Sequence, residues 1–239
     1  MEELYRKPTK KEFFVRGNKV TKKVSLLKFT AYNRNGKPTI EEDFFNKCKT
    51  MFDYDSLGNE IHTSNSFGLE TWTEYDSSEN PIHKKNSSEE EIWFEYDEND
   101  NCIYSKDSHG FEGQFRYNEK KQKFFQYGSR FGLVTLFQYD KNNKLIRSMD
   151  SNGDVTKFIY NSDGNLMLEV SSSGFIKYFE YDSKGNILYY ATGEVDDDID
   201  VENFELDFTN IKMSEFFYEY EFYPNGKVQK MYEYETYEE

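Results

Sequence analysis

The side chains able to do chemistry in this chain are few, and a repeat spaces most of them. His62 and His83 stand 21 residues apart. Equal spacing predicts equivalent places on successive structural units, side by side on one sheet. A metal site needs three or four convergent ligands, so these two are read as surface polar groups. Cys48 and Cys102 have no CxxC spacing, and no histidine lies close to either in sequence to favour a thiolate. Cys102, beside Ile103, is expected to be a small sheet residue. The run Asp196-Asp197-Asp198, with Asp200 and Glu202, lacks the glycine and terminal glutamate of a calcium loop. It is read as a solvated acidic loop able to steer a basic partner. Neither a Gly-x-Ser-x-Gly elbow nor a glycine-rich phosphate loop occurs. Glycoside hydrolysis needs two carboxylates at a set separation, and 45 Asp/Glu single out no pair. No catalytic residue, metal or cofactor is therefore expected.

The elements that must position these groups follow from one period. Tyr32, Tyr54, Tyr75, Tyr96, Tyr117, Tyr139, Tyr160 and Tyr181 are separated by 21 or 22 residues throughout. Counting each tyrosine as position 0, Phe52, Phe94, Phe115, Phe137, Phe158 and Phe179 occupy −2. Side chains alternate along a strand, so the two rings share a face. Asp or Asn follows at +1 in every unit, Gly stands at +4 in Gly36, Gly58, Gly164 and Gly185, and Asn is frequent at +5. These are turn residues with a mechanism: side-chain capping and tolerance of positive φ. Units lacking the +4 glycine, with Glu79, Asp100, Lys121 and Asn143 there, are expected to make looser or different turns. Apolar residues return at +7 (Ile61, Ile82, Ile103, Phe124, Ile146, Met167, Leu188), and a second glycine mark sits at −7. Each unit reads as two short strands and two turns.

The expected fold is all-β: consecutive antiparallel hairpins in a strongly curved or partly closed sheet of about 16–20 strands, capped at both ends. Helix is expected to be limited to a short turn, within 39–48. The organisation reads as a basic cap over 1–28, about eight repeats over 29–193, an acidic insertion over 194–209, and a terminal repeat with its cap over 210–239, anchored on Phe222.

Composition narrows the function. Aromatic residues make up 18% of the chain, half of its 36% hydrophobic content, so the core must be built of rings. The net charge of −15 disfavours nucleic acid and anionic membranes and favours a basic partner. Two cysteines demand no oxidising compartment, and the first residues lack the apolar core of a signal peptide, so a cytoplasmic protein is expected. Rings at repeat positions are expected to stack on each other. Off-register rings are the better partner-binding candidates: Trp72, Trp93, Tyr127, Phe131 and Tyr190, with Phe67, joined by Asp196, Asp197, Asp198, Asp200 and Glu202.

The pattern Phe/Tyr-x-Tyr-Asp-x-x-Gly-Asn, best seen over 158–165 and 179–186 with a glycine seven before the tyrosine, resembles the YD repeat of the Rhs family. The resemblance covers roughly 30–193 and again 218–230. It implies a β-strip that spirals and closes into a hollow shell, which in large members encloses a toxin. The Asp-Pro-x-Gly-Leu cleavage motif of those members is absent here. Small acidic repeat chains of this kind resemble immunity proteins that accompany such toxins. The expected function is thus a non-enzymatic protein-binding module that neutralises a basic toxin by covering its active site. A surface or periplasmic carbohydrate-binding repeat protein is the alternative, and a hydrolase with an unrecognised carboxylate site the third reading.

Overall fold

The computed structural model describes residues 10–15, 20–195, 199–204, 211 and 213–236. Nineteen strands follow in order: β1 (Lys10–Val15), β2 (Val20–Tyr32), β3 (Pro38–Asp43), β4 (Cys48–Tyr54), β5 (Glu60–Asn65), β6 (Glu70–Tyr75), β7 (Pro81–Asn86), β8 (Glu91–Tyr96), β9 (Cys102–Asp107), β10 (Glu112–Tyr117), β11 (Lys123–Gly128), β12 (Leu133–Tyr139), β13 (Leu145–Asp150), β14 (Val155–Tyr160), β15 (Leu166–Ser171), β16 (Phe175–Tyr181), β17 (Ile187–Glu194), β18 (Met213–Phe222) and β19 (Val228–Thr236). From β2 to β19 each strand pairs antiparallel with the next, and β19 pairs back onto β2, Lys230 opposite Ala31 through Thr236 opposite Val24. The sheet is therefore a closed 18-strand barrel, with β1 hairpinned onto the free upper stretch of β2. The expectation of a partly closed sheet is corrected on this point: β19 meets β2, so the eighteen wall strands present no open edge to one another. At about 4.8 Å per strand and the usual tilt of about 35–45°, a round barrel of eighteen strands is about 34–39 Å across.

Each tyrosine-side hairpin also shifts register by one residue just before its anchor, as between Asp53 and Tyr54 or Glu180 and Tyr181. Such irregularities bend the strand and add twist. Their recurrence at one rim bends the strip into a ring.

The tyrosines hold the hairpins together. Tyr54, Tyr75, Tyr96, Tyr117, Tyr139, Tyr160 and Tyr181 each donate a hydroxyl hydrogen bond, 2.8–3.0 Å long, to the carbonyl at position +6 of the preceding unit. In the last unit Tyr220 makes the equivalent bond to Ile187, although Phe222 holds the anchor's place in the turn register. The anchoring tyrosines thus lock each hairpin to the one before, with the terminal member two residues earlier than the sequence suggested. A second ladder runs along the opposite rim. Ser66, Ser87, Ser108, Ser129, Ser151 and Ser172 each accept from the backbone N–H of the residue 17 earlier, and each returns its own N–H to that residue's carbonyl.

The turn expectation is overturned. Glu79, Asp100, Lys121 and Asn143 adopt φ of 59 to 66°, close to the glycine values, with the same backbone bonds as the glycine turns. The Asp or Asn at +1 dictates this: Asp55 Oδ1 accepts the N–H groups of Leu57 and Asn59, and Asp76 repeats the pair with Ser78 and Asn80. Capping fixes the turn, and the +4 residue must follow into the left-handed region, which L-residues enter at a cost. Glu79→Gly and Lys121→Gly are accordingly expected to stabilise the protein by about 0.5–1 kcal/mol each in denaturant titration. The helical turn expected within 39–48 is also absent: β3 and β4 occupy that stretch, joined by a turn in which Lys47 takes φ 52°.

The two faces of the wall differ. One carries the anchoring rings, half-buried. The other is deeply buried from β15 round to β2, where Leu168, Val170, Ile176, Tyr189, Ala191, Phe217, Tyr232, Tyr234, Leu26 and Phe29 form the core. Val195, Ile199, Val201, Phe204 and Ile211 of the β17–β18 connection pack over Leu168, Val170 and Ile176.

Candidate functional site

The second face changes character between β4 and β10. Residues 51–112, which form adjacent strands, hold sixteen Asp/Glu against three Lys, a net −13. On this sector the pairing registers align side chains into rows that cross the strands. One row runs Asp53, His62, Trp72, Lys85, Glu91. The next runs Glu74, His83, Trp93, Lys106, Glu112, each member 21 residues further on. The repeat thus writes the same acid–imidazole–indole–ammonium–acid series twice. Equivalent members lie two strands apart, about 10 Å, and on β6, β7 and β8 the two rows run side by side, two residues apart along each strand.

Both imidazoles lie between two carboxylates and against an indole, with the short contact made to opposite sides. His62 Nδ1 lies 2.9 Å from Asp53 and Nε2 3.6 Å from Glu70, and the ring stacks on Trp72 at 5.5 Å. His83 Nε2 lies 2.8 Å from Glu91 and Nδ1 3.6 Å from Glu74, with its ring on Trp93 at 5.3 Å. Each ring thus makes one hydrogen bond to a carboxylate and has a second carboxylate 3.6 Å from its other nitrogen. Hydrogen bonding to Asp53 accordingly raises the His62 pKa above its ordinary value, against a smaller opposing effect of burial. An imidazolium lying on an indole face also gains from the ring quadrupole. Lys85 Nζ sits 5.7 Å over Trp72, so that indole is covered on both sides.

The residues singled out from sequence divide into three groups. Trp72 and Trp93 are brought together with His62 and His83 on this sector. Tyr127 continues the same face on β11, one strand beyond the sector, paired with Gln114. Phe131, 77% exposed at the β11–β12 turn tip, lies beside Arg130, with Phe67 exposed at the equivalent tip of β5–β6 on the same rim. Tyr190 is elsewhere: on β17, on the other face, stacked between Phe179 and Phe216 at 5.0 and 5.5 Å. Asp196, Asp197 and Asp198 lie outside the described residues. Asp200 accepts from the Glu202 N–H and the Asn203 amide, which hold its carboxyl below the usual range. Glu202 faces Arg147 and Lys157 at 3.8 and 3.7 Å, so it ties the connection to the barrel, whereas Asp200 braces the connection internally.

Two further signals lie in the sequence: a serine nine or ten residues before each tyrosine from Tyr75 to Tyr181, and the 21-residue offset that relates Asp53 to Glu74, Trp72 to Trp93 and Lys85 to Lys106. Cys102 is a half-buried thiol whose pKa burial pushes up, which suits a sheet residue and opposes a nucleophile. Among the described residues no group of three or more His, Cys, Asp or Glu is arranged to hold a metal ion. Among them, too, no helix is long and apolar enough to cross a membrane, which says nothing of a β-barrel. A half-open cleft of about 580 Å³ adjoins the rows, lined by Trp72, Lys85, Glu91, Asp107, Phe111 and Arg130 among others.

No protein-family model and no curated protein matches the chain. Among solved structures it is similar to the crystal structure of TcdB2-TccC3-Cdc42, at TM-score 0.39 and 12% identity over 95% of this chain and 13% of that one. It is similar also to the Photorhabdus luminescens Tc holotoxin pore with the TccC3-D651A mutation, at 0.39 and 11% over 87% of this chain and 13% of that one. A porin-like protein from Bacteroides uniformis matches at 0.43 and 10%, over 89% of this chain and 97% of that one. The chain thus spans about an eighth of the length of the first two. At such scores and identities the likeness is one of all-β hairpin architecture and says nothing of function.

Proposed function

We propose that this chain is a non-enzymatic protein-binding module whose acidic sector, β4–β10, covers a basic surface of a partner protein. One observation carries the reading. The recurring side chains (Tyr, Asp/Asn, Ser) are engaged in holding hairpins together, while one sector carries sixteen Asp/Glu against three Lys and also presents two indoles. Opposed charge steers encounter, and Trp is a usual anchor at the centre of a protein interface. In its most specific form the partner is a toxin, whose active site the sector occludes as an anionic substrate would. The length of the strands supports a role away from the bilayer: those from β3 to β16 have six or seven residues, and a spanning strand needs about nine to eleven.

The test is capture followed by rescue. The full chain should retain a basic protein from its native cells, and co-expression should abolish that protein's toxicity. Complex formation should weaken steeply with salt. A captured partner that is acidic, or binding indifferent to salt, would defeat the proposal. A second reading, carbohydrate binding, is favoured by the cleft beside Trp72 and Phe111. It predicts glycan-array binding that Trp72→Ala abolishes.

A further inference from the structure

The two rows are not equally complete, and the difference is chemical. In the first, both faces of the indole are occupied: His62 stacks on one and Lys85 lies over the other. In the second, His83 covers one face of Trp93, but Lys106 pairs with Glu112 at 3.6 Å. No cation lies over Trp93 among the described residues, and the ring is 42% exposed. The carboxylates show the same gap. Glu74, two residues after Trp72 on the same face, has His83 opposite it. Its counterpart Glu95, two after Trp93, has Tyr104 opposite, because the third copy of the row places a phenol where the first two place an imidazole. Tyr104 interacts with Glu112 instead, which raises the phenol's pKa. Glu95 is exposed and has no ion pair among the described residues.

We infer that the open face of Trp93, with the Glu95 carboxylate beside it, is the seat for a cationic side chain, lysine or arginine, presented by the partner. The inference rests on the protein-binding reading and names the contact at its centre. The first row is the template: there the chain supplies its own ammonium to the equivalent indole. An indole face and a carboxylate about 7 Å apart along a strand suit one flat or compact cation, attracted by the ring quadrupole and by the charge at once. Arginine suits the seat best, since its guanidinium stacks on the ring while its outer N–H groups reach a carboxylate.

The chain has two tryptophans, so each can report alone. In full-length Trp72→Phe, the emission of Trp93 should shift when octa-arginine peptide is added, and not with octa-glutamate. In Trp93→Phe, the emission of Trp72 should not move. Adding Lys85→Met to that variant uncovers Trp72, which should then respond. Affinity for labelled octa-arginine should fall about tenfold in Trp93→Ala. Glu95→Gln, at an exposed position away from the core, should lower it about threefold with the melting temperature unchanged, which covers the case in which Trp93→Ala folds poorly. If Trp93→Ala and Glu95→Gln both bind octa-arginine as the native chain does, the attraction is spread over the sector. The seat is then wrong while the protein-binding reading stands. If the native chain fails to bind octa-arginine even at low salt, both fall.

Discussion

Raising the pH from about 10 to about 12 is expected to unfold the barrel in one cooperative step. Eight tyrosines, Tyr54 to Tyr181 and Tyr220, donate hydroxyls to backbone carbonyls of the neighbouring hairpin. A phenolate has no proton to donate and would face a carbonyl oxygen. Burial is the first cause that raises the pKa of each of the eight, and Tyr54 and Tyr220 reach about 12. The sign follows from linkage. A group whose folded pKa lies above its unfolded value of 10.0 prefers to stay neutral in the fold. Its stabilisation is whole below pH 10 and disappears as the pH climbs through the folded pKa. Solvent screens these half-exposed rings, so each counts for only about 0.5 kcal/mol. Eight acting together reach about 4 kcal/mol, a large part of a typical domain's stability. Tyrosinate absorbance and circular dichroism should therefore change together, well above pH 10. Tyrosinate appearing along a simple curve centred on 10, with the circular dichroism unchanged, would show that the ladder bears no load.

Val201→Asp is expected to be the most damaging single substitution outside the barrel wall. Val201 belongs to the stretch that the sequence marks as acidic, yet it is 6% exposed and packs with Leu168, Val170 and Ile176. A carboxylate there either enters an apolar cluster or lifts the connection off it. The expected loss is about 3–5 kcal/mol, a fall of about 10 °C in melting temperature. The neighbouring acids act differently. Asp200 is exposed and Glu202 makes only surface ion pairs beyond 3.5 Å, so Glu202→Gln should cost less than about 1 kcal/mol. A native-like melt for Val201→Asp would mean that the connection is a loose acidic arm after all.

That connection shows where sequence reasoning stops. Its charges were legible and suggested bait for a partner. Its fixing points are apolar residues scattered between them, and only the position of β15 and β16 beneath reveals what they cover. Tyr190 fails in the same way. It looked free because it sits off the tyrosine register, but β17 lies between β16 and β18, and Phe179 and Phe216 take both sides of its ring. The left-handed turns are another case. The absence of glycine pointed to a different turn, yet the aspartate at +1 was sufficient to impose the same one.

The period of 21 determined the hairpins, their antiparallel order, the shared face of the rings and the place of every turn, because these are local matters settled within one unit and its neighbour. Whether the strip closes is a sum over all units. It depends on small added twists at each register shift and on whether β19 meets β2 in register, and neither is written in any one repeat. The site has the same divided origin. His62, Trp72, His83 and Trp93 were visible as types and spacings. Their union into rows, and the gap left at Trp93, came from cross-strand registers that set which side chains face each other.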